Sequence, residues 1–402
     1  MMKSIARLRG VLPRIALSAA LGALLLPSAT QAAPTYTVTV LGGADSEARD
    51  INEAGQVAGY LTAGGVNHAF FYDGSVLNDL GTLGYTRSIG NSLNDNGTVV
   101  GTAYSDGGER TAFVYASGAV SALPFTGNSG ASAINNAGLI VGDKYFPDGE
   151  GGNVIHAYTY AGGVVTDLGT VPNGYNSYAD GVNEAGHVTG TVEVDGPPNY
   201  PSHPFLYTGG PLQDLGDFGG IFSHGYAINN HDQVVGTAGR FNSPEVPDDI
   251  YPRRAFLYEN GVLQDLGSLL DNGSSIAYDI NDAGLIVGVS ATADENAGGA
   301  FLYVEREMVL LDSLIDPASG WSVHNAYAIN EAGQIAGSAC KAGLCYAVRL
   351  DLAPAIPEPA QFGMFGAGAF FLLGRRFARR AAGCAAGWRD RLSMETTAHA
   401  YA

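Results

Sequence analysis

The stretch AYAINEAGQIAG, residues 326 to 337, occurs in seven variant copies along the chain. The others are ARDINEAGQVAG (48 to 59), GNSLNDNGTVVG (90 to 101), ASAINNAGLIVG (131 to 142), ADGVNEAGHVTG (179 to 190), GYAINNHDQVVG (225 to 236) and AYDINDAGLIVG (277 to 288). One asparagine recurs in each: Asn52, Asn94, Asn135, Asn183, Asn229, Asn281 and Asn330. Successive anchors are 42, 41, 48, 46, 52 and 49 residues apart. A period of that length marks a supersecondary unit that buries its apolar face against the next copy, so the repeat decides the fold.

A second motif sits between the anchors: an aromatic strand, a glycine turn and then Asp-Leu-Gly. It reads HAFFYDGSVLNDLG from His68, HAYTYAGGVVTDLG from His156, HPFLYTGGPLQDLG from His203 and RAFLYENGVLQDLG from Arg254, with weaker copies from Thr111 and Ala300. Each unit thus offers four short strands separated by turn signals. In Asn52-Glu53-Ala54-Gly55 the asparagine side chain can bond back to the main chain while the glycine takes a positive φ. Asp232 stands where the fifth copy lacks that glycine, and aspartate tolerates the conformation better than most residues. The seven asparagines are therefore expected to hold turns. Four strands in each unit of this length predict an all-β fold, a seven-bladed β-propeller of four-stranded blades. The last unit lacks a fourth strand, and an orphan strand, YTVTVLGG from Tyr36, precedes the first anchor. Pairing the N-terminal strand with the last blade would close the ring and leave no exposed edge there.

Composition agrees. Glycine is 57 of 402 residues without a collagen period, as repeated tight turns require. The formal net charge is −19, and residues 34–354 alone hold 10 basic and 36 acidic side chains. No nucleic-acid partner is expected, because phosphate neutralisation needs clustered Lys and Arg.

The motifs AINxAGxVVG and HAFLYxxGxxxDLG resemble those of the HAF family of extracellular repeat proteins, over nearly all of residues 36–352. The resemblance implies extracellular location and repeat architecture; the family is defined by its repeats rather than by an activity.

Residues 1–33 read as a secretory signal: basic Lys3, Arg7, Arg9 and Arg14, an apolar run from Ile15 to Leu26, then small residues. At the other end, Pro357, Glu358 and Pro359 precede an apolar run from Phe362 to Leu373 and the cluster Arg375, Arg376, Arg379 and Arg380. The order closely resembles the PEP-CTERM sorting signal of Gram-negative bacteria, which implies exosortase-type machinery as a partner and an exopolysaccharide-producing host. Residues 34–352 are then the propeller, 353–380 the sorting segment with membrane contact through 360–374, and 381–402 an extension that this family usually lacks. Export to the cell surface or beyond is expected, with transient or retained anchoring in the inner membrane.

The chemistry is expected on the face carrying the long connections, Asp143 to Ile155, Thr191 to Ser202, Thr237 to Arg253 and Ala291 to Gly298, since variable loops on a rigid scaffold commonly bind ligands. Asp148-Gly149-Glu150 and Asp294-Glu295-Asn296 offer oxygen ligands but lack the EF-hand spacing, so solvated acidic loops are the preferred reading. His224 and His324 fall in connections between units. His68, His156 and His203 recur at one strand position and read as packing or turn residues. Tyr200, Phe222, Phe241, Tyr251 and Trp321 are candidate aromatic platforms. Cys340 and Cys345 flank a short loop, and export makes a local disulfide reasonable. No GxSxG, phosphate-loop or Cys-His metal motif occurs. The reading is a non-catalytic binding or scaffold protein associated with the surface or exopolysaccharide, with no catalytic residue, cofactor or metal. The alternative is a carbohydrate-active enzyme, a polysaccharide lyase or hydrolase, with its site on the long-loop face.

Overall fold

The computed structural model describes residues 36–149, 151–194, 201–240, 253–270, 273–292 and 298–353. The secretory segment 1–33, the sorting residues Pro357, Glu358, Pro359, Arg375 and Arg376, and the extension 381–402 lie outside the described residues. Among the described residues no helix is long and apolar enough to cross a membrane.

The chain is all-β and built from four-stranded antiparallel units. The first unit runs Glu47–Ile51, Val57–Ala63, Val66–Tyr72 and Leu77–Gly81, each strand pairing with the next. The same order repeats in the units that follow. The fourth and fifth units are joined into one eight-stranded sheet by a single parallel pairing, Ser202 with Phe222. In the last sheet the strands Ser322–Ile329, Ile335–Lys341 and Leu344–Leu352 are completed by Tyr36–Ala44. Tyr36 faces Leu352 and Val40 faces Val348 in that antiparallel register, so the orphan strand fills the fourth place.

Local chemistry explains the repeat. Phe70, Phe113, Phe205, Phe256 and Phe301, from the aromatic motif, are fully buried. Each lies in register with the last glycine of a turn motif, as Gly101 with Phe113 and Gly236 with Phe256. A methyl group built on Gly101 would overlap the Ile89 carbonyl oxygen and stand 2.6 Å from the Phe113 ring. Glycine there lets the first strand and the aromatic ring both close on the second strand, which is the reason Phe and Gly recur together.

Serines fasten several of the units to the preceding one. Ser88 Oγ accepts from the Ala69 amide at 2.7 Å, Ser129 from Ala112, Ser177 from Ala157 and Ser275 from Ala255. The amide used is that of the central residue of His-Ala-Phe. In the fourth unit Pro204 takes its place and has no N–H, and Ser223 accepts instead from Gly239.

One of the long connections differs from expectation. Strands Ile140–Pro147 and Asn153–Ala161 pair continuously from Ile140 with Tyr160 to Pro147 with Asn153. The span Asp143 to Ile155 is therefore mostly hairpin, with its tip held by the Gly152 amide donating to Asp148 Oδ1 at 2.8 Å.

Candidate functional site

The turn asparagines do more than close their own loops. Asn52 Oδ1 accepts from the Ala54 and Gln56 amides, and Gly55 has φ +72°, as the turn reading requires. Asp232 has φ +58° in the copy without glycine. The amide group of each asparagine then reaches out of its unit. Asn52 Nδ2 donates to the Asn94 carbonyl, Asn94 to Asn135, Asn135 to Asn183, Asn183 to Asn229, Asn229 to Asn281, Asn281 to Asn330, and Asn330 to Asn52, all at 3.0–3.1 Å. All seven side chains are buried, so these bonds are shielded from water.

A second circuit runs through the next residue of each turn. The Glu53 amide donates to Asp95, Asp95 to Asn136, Asn136 to Glu184, Glu184 to Asn230, Asn230 to Asp282, Asp282 to Glu331, and Glu331 to Glu53. Five of the seven acceptors are carboxylates, which gives this end of the units a concentrated negative charge.

Three residues before each asparagine the first strand carries a β-bulge. The register breaks between Ala48 and Asp50, Gly90 and Ser92, Ala131 and Ala133, Ala179 and Gly181, Gly225 and Ala227, Ala277 and Asp279, and Ala326 and Ala328. The extra residues are Arg49, Asn91, Ser132, Asp180, Tyr226, Tyr278 and Tyr327. Each is half-buried, whereas the Ala or Gly just before it is buried in every unit. Bulges re-aim side chains, and four of these meet one another. Tyr226 and Tyr278 rings lie 5.5 Å apart, Tyr278 and Tyr327 5.0 Å, and the Arg49 guanidinium sits 4.4 Å from the Tyr327 ring centre.

The recurring histidines are clasps. His68, His156 and His203 each bring Nδ1 to both oxygens of the aspartate eleven residues on, Asp79, Asp167 and Asp214, at 2.9–3.0 Å. That aspartate also accepts from the amide two residues later, as Gly216 donates to Asp214. The packing role expected of these histidines thus includes a specific partner in the Asp-Leu-Gly motif.

His203 alone has a second carboxylate. Its Nε2 is 3.1 Å from Asp217, at the place where the other clasps carry Thr82 or Thr170. The hydrogen bond to Asp214 raises the His203 pKa above its ordinary value, against an opposing effect of burial, and the Asp217 charge adds to the rise. Burial works to raise Asp214, but the bonds from His203 and the Gly216 amide outweigh it and leave that carboxyl below the usual range. These three side chains line a cleft of about 470 Å³ with Asn173, Val194 and Pro201, next to the connection after Val194. Two exposed aromatics lie close in the structure's connectivity: Tyr175, 55% exposed and two residues beyond Asn173, and Phe222, 44% exposed and paired with Ser202.

The remaining sequence candidates scatter. His224 Nδ1 is 3.1 Å from Thr191 Oγ1 and its ring stacks on Tyr226. His324 lies beside Cys340 and Cys345, which are joined as a disulfide across a paired position of the hairpin. Trp321 packs edge-on against Tyr346, with Lys341 over its ring, and so anchors a loop. Tyr200, Phe241, Tyr251, Glu150 and Asp294-Glu295-Asn296 lie outside the described residues.

No family model matches the chain, and no curated protein matches it. Among solved structures it is similar to the β-propeller domain of the trilobed protease from Pyrococcus furiosus, at 13% identity and TM-score 0.48, over 66% of this chain and 83% of that one. A gluconolactonase from Xanthomonas campestris is similar at 11% identity and TM-score 0.37, over 78% and 90%. An ulvan lyase of a polysaccharide lyase family is similar at 10% identity and TM-score 0.41, over 77% and 94%. At such identities the likeness concerns the fold alone.

One expectation is corrected by these findings. Reading the chain as no enzyme rested on the absence of linear catalytic motifs, yet the propellers similar to it include a gluconolactonase and a polysaccharide lyase. Here His203 and Asp214 come from neighbouring strands and Asp217 from the connection that follows, so polar groups meet without a linear catalytic motif.

Proposed function

We propose that residues 36–352 close into a seven-bladed propeller which is exported and binds polysaccharide of the cell envelope or of an exopolysaccharide matrix through its long-loop face. The strand pairing of Tyr36 with Leu352 and the hydrogen bond from Asn330 to Asn52 support the closed ring. The segments 1–33 and 353–380 support export, sorting by exosortase-type machinery and passage or anchoring at the inner membrane through 360–374, in keeping with the resemblance to HAF-repeat and PEP-CTERM proteins.

The observation that carries the binding reading is the cleft at His203, lined by Asp214, Asp217 and Asn173, together with the exposed Tyr175 and Phe222, which neighbour its lining residues in chain and strand pairing. Sugar rings present apolar faces for aromatic contact and hydroxyls for carboxylate acceptors, and this combination supplies both. The purified chain is expected to retain one or more polysaccharides on a glycan array, and the paired substitution Tyr175→Ala and Phe222→Ala is expected to release them. An array with no retained glycan overturns this reading.

A second reading, a polysaccharide lyase or hydrolase, is favoured by the placement of one histidine between two carboxylates. A general acid or base needs such a group within hydrogen-bond reach of a substrate held in the same cleft. Release of reducing ends from a bound polysaccharide, lost in Asp217→Asn, would select it over binding alone.

A further inference from the structure

We infer that the cleft at His203 selects saccharides without acidic groups, holding the hydroxyls of a neutral sugar and turning away uronate, sulfate and phosphate. This rests on the saccharide reading of the cleft and names the class of sugar it takes.

One clasp sets the charge of the cleft. His203 presents Nδ1 to Asp214 at 2.9 Å and Nε2 to Asp217 at 3.1 Å. An ionised carboxylate only accepts, so a ring with a carboxylate at each nitrogen is satisfied when both nitrogens carry protons. The bond to Asp214 is the main cause of the raised His203 pKa, in keeping with that state. Against burial, the bonds from His203 and the Gly216 amide keep Asp214 below the usual carboxylate range, so it is ionised near neutral pH. The cluster therefore holds one positive and two negative groups. The rest of the lining is uncharged and includes no lysine or arginine. The connection from Val194 to Pro201 contains Asp195 and again neither lysine nor arginine.

The excess charge is particular to this unit. His68 and His156 clasp one aspartate each, and Thr82 and Thr170 stand where the fourth unit has Asp217. Since two units clasp the same hairpin with a threonine at this position, the fold does not require the second carboxylate. The clasp that has it borders the cleft.

Both carboxylates are fixed acceptors. Asp214 Oδ1 accepts from the Gly216 amide at 2.8 Å and Asp217 Oδ1 from the Gly219 amide at 2.6 Å, while their side chains are 38% and 20% exposed. A carboxylate offers about four lone-pair positions, more than these partners use, so sugar hydroxyls can donate to either. An acidic sugar meets the same oxygens as like charges, and the one cation within reach is an imidazolium already held on both sides. The volume of about 470 Å³ suits a small ligand or one stretch of a chain, for which sites of about 300–1,000 Å³ are usual.

A glycan array of neutral, uronate-bearing and sulfated oligosaccharides, probed with the full chain at about 0.15 M salt, tests the inference. At that ionic strength the general negative charge of the chain is screened beyond about 8 Å. The retained sugars are expected to be neutral, with their acidic counterparts retained at least about tenfold less. In Asp217→Thr, which installs the residue of the first and third units, neutral sugars should bind about tenfold more weakly, the scale of one lost bond to a charged acceptor. Their preference over acidic sugars should shrink by a similar factor. Asp106→Thr removes the same charge from an exposed turn of the second unit and should leave the preference unchanged. Equal or stronger retention of acidic sugars by wild type overturns the inference and leaves the saccharide reading intact. A folded Asp217→Thr variant with full preference, or an Asp106→Thr variant that loses it, has the same consequence. An array that retains no sugar overturns the saccharide reading itself. The wild-type comparison decides between these outcomes even where Asp217→Thr fails to fold.

Discussion

Asn330 donates its side-chain N–H to the carbonyl of Asn52 at 3.0 Å across 278 residues of sequence. The bond has the same geometry as the six between adjacent copies, so the chain treats its last unit and its first as neighbours. An asparagine is needed because one side chain must both accept, to hold its turn, and donate, to hold the next unit.

Asn135→Ala should therefore cost more than an ordinary turn mutation. It leaves the buried Asn183 carbonyl without this donor and the Leu139 amide without this acceptor. The expected loss is roughly 2–4 kcal/mol, two unmade buried hydrogen bonds. Asn135→Asp should be at least as harmful, since a carboxylate would face the carbonyl. Denaturant unfolding measures both, and Asn136→Ala on the exposed side of the same turn serves as the mild comparison; equal stability of Asn135→Ala and wild type would remove the inter-unit role.

Gly101→Ala should prevent the second unit from forming. The added methyl group has nowhere to go between the Ile89 carbonyl and the Phe113 ring, and backbone cannot yield as a flexible side chain can. Gly118→Ala offers a contrast of a different kind: nothing stands within 4 Å, but φ is +82°, so the cost is conformational and about 1 kcal/mol. Thermal melts followed by circular dichroism should show a large loss for the first and a modest shift for the second.

Much of this fold was legible because its signals are local and repeated. The asparagine turns, the strand order and the strand from Tyr36 that completes the last sheet all follow from patterns that recur within each unit. What stayed hidden were partners set by register or by the next copy. The donation from Asn52 to Asn94 spans 42 residues, and no local pattern specifies it. The clasp of His156 with Asp167 was within reach, since both motif residues recur at a fixed separation, but it needs the hairpin register to be seen as a contact. The bulged residues were least visible. Arg49, Asp180 and Tyr278 share no side-chain type, and what unites them is a variable position inside an otherwise constant motif.

His203 should titrate above the ordinary histidine value near 6.5, and Asp217→Asn should move it down. A histidine whose folded pKa is raised adds stability that is fully present below its unfolded value and is lost as pH rises through the folded one. Wild type should accordingly lose stability relative to Asp217→Asn as pH climbs from about 6 past that folded value. Imidazole proton shifts followed by NMR give the titration directly, and an unshifted His203 in the variant would show that Asp217 does not act on it.

Asp279 acts in the same direction, over a lower pH range. Its carboxylate accepts from its neighbour Ile280 and, across units, from the Ile329 amide at 2.8 Å, yet burial outweighs both bonds and pushes its pKa to about 7. The folded protein then binds a proton that the unfolded chain has already released above about 4. Stability from this group is greatest at acidic pH and falls as pH rises between those two values. Asp279→Asn removes the titration and keeps an acceptor oxygen for one of the two amides. Melting temperatures at pH 5 and pH 8 should therefore differ by less in Asp279→Asn than in wild type, with wild type the more favoured by acid. An unchanged difference would mean that the carboxylate between the sixth and seventh units stays ionised in the folded chain.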